Sequence, residues 1–114
     1  MLKDWNALTQ DISKSVGQVR IGAADVMKGF SAMAQGATQP GLIDTKAKEL
    51  IALALGIAAR CDGCIGFHAK ALVELQASRG EIMEVIGMAV YMGGGPSVMY
   101  GALALDAFDQ FTGA

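Results

Sequence analysis

Cys61, Cys64 and His68 are three and four residues apart, and residues at those spacings share one face of a helix. Two thiols one helical turn apart lie near the Cα separation of about 5.5–6 Å that a disulfide prefers, so the pair can close and open with little backbone movement. A thiol reacts as its thiolate, and a cysteine with an ordinary pKa near 8.5 is mostly protonated at neutral pH. His68, the only histidine of the chain, lies four residues beyond Cys64, within reach of its proton. Free amides at a helix start would also favour negative charge on either sulfur. Glu49 lies twelve residues before Cys61, far enough to belong to the preceding helix, and a neighbouring helix could bring its carboxylate to His68. A carboxylate there fixes the imidazole tautomer and makes it a stronger base, so Glu49, His68 and Cys64 would form a proton relay. Redox chemistry of a dithiol is the expectation.

Two plainer readings compete. Buried cysteines often serve only as small packing residues. Thiolates and imidazole are also zinc's preferred ligands, but a closed zinc site wants four. Here there are two sulfurs and one imidazole, with Glu49 the sole candidate fourth. No metal and no other cofactor is therefore expected. Which sulfur attacks is undecided by spacing alone, because proximity to His68 favours Cys64 and the helix start favours Cys61.

The elements that must position these residues read as helices. Leu2, Trp5, Leu8, Ile12, Val16 and Val19 form one stripe, and Val26, Phe30 and Met33 another that stops at a loop over 36–41. Asp44 is a candidate N-cap for a third helix that contains Glu49. Nearly every face of 50–59 is apolar, which predicts a helix enclosed by protein. A fourth helix begins near Cys61 and runs through Leu75 until Ser78-Arg79-Gly80 breaks it. Ile82 to Val90 make a fifth, ended by Gly93-Gly94-Gly95, and Pro96 suits the first turn of a sixth that carries Val98, Met99, Leu103 and Phe108. The three glycines follow a helix and lack the Lys-Ser/Thr ending of a phosphate loop. No stretch alternates apolar and polar residues with period two, so the predicted class is all-α, a compact bundle of about six helices.

Length and composition bound the rest. A chain of 114 residues suits one domain spanning 1–114. Its 53 % hydrophobic and 18 % charged residues exceed what a small private core can hide, which predicts a homo-oligomer. Arg60 interrupts the apolar run at 50–59, too short for a membrane span, and no secretion signal precedes it. A net charge of −2 argues against nucleic acid. A cytoplasmic location is expected, where a closely spaced cysteine pair reads as thiols that cycle.

Glu49, eleven residues, Cys61-Asp62-Gly63-Cys64, three residues and His68 resemble the core motif of the alkylhydroperoxidase D-like branch of the carboxymuconolactone decarboxylase family. The likeness runs from about Gly41 to Phe108, and Cys64-Ile65-Gly66-Phe67-His68 is its most telling stretch. It implies an all-helical fold assembled as trimers or hexamers. It further implies that Cys64 attacks a hydroperoxide substrate, Cys61 resolves the product, His68 is the base and Glu49 its orienting carboxylate. The dithiol reductant would be a lipoyl-bearing protein. The best-known peroxidase branch has a second histidine where this chain has Gly63. That departure leaves general disulfide exchange or a non-enzymatic redox sensor as alternatives. Lactone decarboxylases of the same family use no cysteine pair, and Arg20, Arg60 and Arg79 are too widely spaced to suggest a dicarboxylate clamp.

Overall fold

The computed structural model describes residues 1–113, and among them every regular element is helical. The order is α1 (Trp5–Gly22), α2 (Ala24–Thr38), α3 (Thr45–Ala58), α4 (Asp62–Glu74), α5 (Arg79–Gly93) and α6 (Gly95–Thr112). Helices α3 to α6 form the body, with α3 and α5 both packed on α6 and α4 packed on α3 and α6. Their shared core is Leu53, Ile57, Ile65, Ala69, Leu72, Ile82, Ala104, Ala107 and Phe108. Helix α1 lies across α4 and α6, whereas α2 touches only α1 and α3 and buries no residue. Among the described residues no helix is long and apolar enough to cross a membrane.

The helix boundaries follow from local chemistry. Asp44 caps α3 by accepting the Ala47 N–H at 2.7 Å. Ser78 and Glu81 form a reciprocal capping box at the start of α5. Ser78-Arg79-Gly80 is therefore the beginning of α5 rather than only the breaker of α4. Helix α4 instead stops at a Schellman turn, in which Gln76 adopts φ 61° and the Ala77 N–H reaches the Leu72 carbonyl. The second helix runs past Gly36 to Thr38, because a single glycine lowers helix propensity by about 1 kcal/mol without ending a helix. Pro40 and Gly41 make the loop. Leu2 precedes α1, whose cap is Asp4. Within this chain α3 is not enclosed: Leu53 and Ile57 are buried, but Ile51 and Leu55 on its opposite face are 49 % and 64 % exposed.

Trp5 anchors α1 to the body. Its ring is fully buried, its indole N–H donates to Asp106 Oδ2 at 2.9 Å, and its backbone N–H donates to Gln110 Oε1 at 3.0 Å. Partial desolvation works against ionised Asp106, yet hydrogen bonds from the Leu2 amide and the Trp5 indole outweigh it and hold the carboxyl below its ordinary range. A carboxyl with a lowered folded pKa contributes stability above its unfolded pKa, about 3.9, and loses that contribution as pH falls through the folded value. Trp5→Ala is expected to cost about 3–5 kcal/mol in urea unfolding, the range for truncating a buried aromatic. A loss below about 1 kcal/mol would show that α1 is not part of the cooperative unit.

Candidate active site

Three residues, Ala59, Arg60 and Cys61, carry the chain from α3 to α4. Arg60 takes a left-handed conformation at φ 57°, and the Cys61 N–H closes the turn on the Gly56 carbonyl at 3.0 Å. Cys61 then caps α4, its Sγ accepting the Cys64 N–H at 3.2 Å. The first thiol of the motif thus stands at the positive end of the helix, and the second lies inside its first turn. They are joined as a disulfide with a Cα separation of 5.2 Å. Both cysteines are half-buried.

So tight a link makes α3 and α4 neighbours that run in opposite directions. Glu49 and Gly56, seven residues apart, share one face of α3. Gly56 meets α4 at Cys64, where an added Cβ would lie 3.2 Å from the Cys64 Cβ. Two turns back along α3, Glu49 Oε2 lies 2.6 Å from His68 Nδ1. Glu49 is nearly buried at 12 % side-chain exposure, and His68 remains 34 % exposed. An ionised carboxylate accepts the Nδ1–H, so Nε2 is the ring nitrogen left to take a proton. Helical spacing places the imidazole one turn beyond Cys64. Glu49, Cys61, Cys64 and His68, separated by up to nineteen positions in the chain, therefore gather at one α3–α4 seam.

The inner positions of the motif face elsewhere. Asp62 forms an ion pair with Lys3 of the segment before α1. Gly63 lies under α1, where an added Cβ would meet Ile12 Cδ1 at 3.2 Å. One turn on, a Cβ at Gly66 would stand 2.9 Å from Thr9 Cγ2 and 3.3 Å from the Trp5 ring. Gly63 is thus a contact point for α1, and a larger residue there must displace Ile12. Neither the Lys3–Asp62 pair nor the seat of Ile12 has a sequence signal, since each joins residues more than fifty positions apart. The role of Gly56 had one, its seven-residue spacing from Glu49. Among the described residues no three His, Cys, Asp or Glu side chains converge as a metal-ion site.

Residues 24–107 match the model of the carboxymuconolactone decarboxylase family. A family member from Legionella pneumophila is 53 % identical in sequence and superposes with a TM-score of 0.93, over 95 % of this chain and 96 % of that one. A family protein from Thermotoga maritima, described with a possible involvement in antioxidative response, is 27 % identical with a TM-score of 0.76, over 95 % of this chain and 89 % of the other. An uncharacterized protein from Cupriavidus necator is 34 % identical over 109 residues, 96 % of each chain. With the family motif gathered at one seam and its model matched over most of the length, the chain belongs to the carboxymuconolactone decarboxylase family.

Proposed function

We propose that the protein is a thiol-dependent peroxidase that cycles the Cys61–Cys64 pair. The observation that carries this reading is the 2.6 Å contact between Glu49 and His68 on the helix face that presents Cys64. In the reduced protein His68 Nε2 takes the proton of Cys64. The thiolate attacks the distal oxygen of a hydroperoxide, the O–O bond breaks, and the alkoxide leaves as an alcohol with the proton held by His68. Cys64 is then a sulfenic acid. Cys61 gives up its proton and, as a thiolate stabilised by the start of α4, attacks that sulfur; the S–O bond breaks, the disulfide forms, and the hydroxide leaves as water with that proton. A second dithiol, as on a lipoyl-bearing protein, takes up the oxidising equivalents and returns both cysteines to thiols. Such cycling suits the reducing cytoplasm.

The working form would be a homo-oligomer, trimer or hexamer. Exposed Leu55 of α3 lies beside exposed Met88 and Met92 of α5, and exposed Ile51 beside Met88, an apolar face more extensive than isolated surface residues make. The Lys3–Asp62 pair favours a second reading, a redox sensor in which the state of the motif is felt by the segment before α1. Decarboxylation has no such support, because Arg20 is on α1, Arg60 in the turn between α3 and α4 and Arg79 at the start of α5, where Asp109 engages it at 3.0 Å.

Substoichiometric protein with dihydrolipoamide is expected to consume many equivalents of hydroperoxide. A sensor would consume one equivalent per chain and stop. Light scattering of the same sample should give at least three times the 11.8 kDa chain mass. A stable 11.8 kDa particle would remove the oligomer from the proposal.

A further inference from the structure

On the side of α4 that faces α1, a shallow trough runs between α1, α2 and α4. It consists of two hollows of about 290 and 420 Å³ that share Phe67. Phe67 lies three residues after Cys64, one turn along α4, and is 37 % exposed. Val16 and Phe30 continue the apolar floor, and Phe30 is 53 % exposed. Lys14 and Lys70 stand on the lining of the nearer hollow and Arg20 on that of the farther one, and no Asp or Glu lines either. Arg20 Nη1 donates to Ser31 Oγ of α2 at 3.0 Å, which holds the guanidinium in place and leaves its other donors free. Among the described residues none of these three cations has an ion-pair partner.

Thr9, Gln10 and Ser13 add uncharged polar groups to the lining, and a floor of Phe30, Val16 and Phe67 whose charged neighbours there are all cations is complementary to an apolar chain that bears an anion. The planar fork of arginine suits a carboxylate better than it suits a neutral oxygen. From Thr9 to Arg20 the trough follows α1 for about 16 Å, at 1.5 Å per residue. We infer that the trough binds a long-chain carboxylate, with the carboxylate at Arg20 and the chain over Phe30, Val16 and Phe67. Resting on the peroxidase reading, this makes the hydroperoxide of a fatty acid the substrate class, its peroxide carried past Phe67 toward Cys64.

Binding tests the site independently of turnover. Calorimetric titration of the oxidised protein with dodecanoate should show saturable binding at least about tenfold tighter than dodecanol or methyl dodecanoate, the margin of one charge-assisted fork. Arg20→Gln should erase that margin, and Phe67→Ala should weaken dodecanoate by about tenfold through lost apolar contact. Equal affinity for acid and alcohol, or no binding at all, overturns the inference. So does a carboxylate margin that survives Arg20→Gln. If dodecanoate fails to bind and Phe30→Glu lowers the particle mass in light scattering, a second copy occupies the trough and the inference is wrong. With dihydrolipoamide present, kcat/KM for linoleic acid hydroperoxide should exceed that for its methyl ester, and Arg20→Gln should close the gap. Arg20-dependent binding of dodecanoate without turnover of any hydroperoxide, tert-butyl hydroperoxide included, would overturn the peroxidase reading and the substrate class while supporting the carboxylate site. Turnover of tert-butyl hydroperoxide without carboxylate binding would do the reverse.

Discussion

Cys64→Ser is expected to lower peroxide consumption by at least about a thousandfold, the scale on which loss of a nucleophile abolishes covalent catalysis. Cys61→Ser should instead react once per chain and leave Cys64 as a sulfenic acid that a dimedone-type probe traps. The asymmetry follows from where α4 places the sulfurs. Cys64 is one turn from His68, whose free Nε2 can take its proton, and Cys61 is nearly two turns away at the cap. The cap amide offers the Cys61 sulfur a hydrogen bond but supplies no base and no acid for a departing alkoxide. Mass spectrometry of both variants after mild peroxide decides between the sulfurs. A probe that labels Cys61 in Cys64→Ser, and nothing in Cys61→Ser, would reverse their roles.

The second large effect is expected at the imidazole. His68→Ala should slow the thiol reaction at pH 7 by about 10²–10⁴-fold, the usual contribution of a positioned base. Glu49→Gln should slow it less, by about tenfold, because a neutral amide can still hold the ring but no longer stabilises its protonated form. Both rates should rise with pH toward wild type as solvent deprotonates a thiol whose unassisted pKa is near 8.5. Stopped-flow alkylation of the reduced proteins from pH 6 to about pH 10 measures this directly, free of any particular peroxide. Equal alkylation rates at pH 7 in wild type and both variants would mean that no relay operates.

Much of this arrangement is legible in the residues themselves. The three- and four-residue spacings of Cys61, Cys64 and His68, the cap at Asp44 and the stop at Gly93-Gly94-Gly95 are local signals, and the structure shows a helix start, a cap and an interhelix turn at those places. The Glu49–His68 contact is long in sequence but short in topology, since two helices joined by a tight link must run side by side. The rest turns on competing local signals and on tertiary partners. Propensity suggested a stop at Gly36, yet the helix keeps its hydrogen bonds to Thr38. The apolar run 50–59 suggested burial on all sides, but burial depends on partners that a one-dimensional pattern does not name, and α3 offers Leu53 to the core and Leu55 to solvent. Ser78 has a propensity to interrupt a helix, but its reciprocal bonds with Glu81 begin one.

The hydrogen bond from the Cys64 amide to Cys61 Sγ also bears on the return half of the cycle. When a disulfide is reduced, the sulfur that departs most readily is the one with the better-stabilised thiolate. In the proposed cycle Cys61 would be that leaving group, because the helix that begins at it already supplies an N–H to its sulfur. The same cap would therefore ease opening of the bond by an incoming dithiol without any change in the backbone of α4. Cys64, released in turn, would take its proton from the imidazole that Glu49 holds in place.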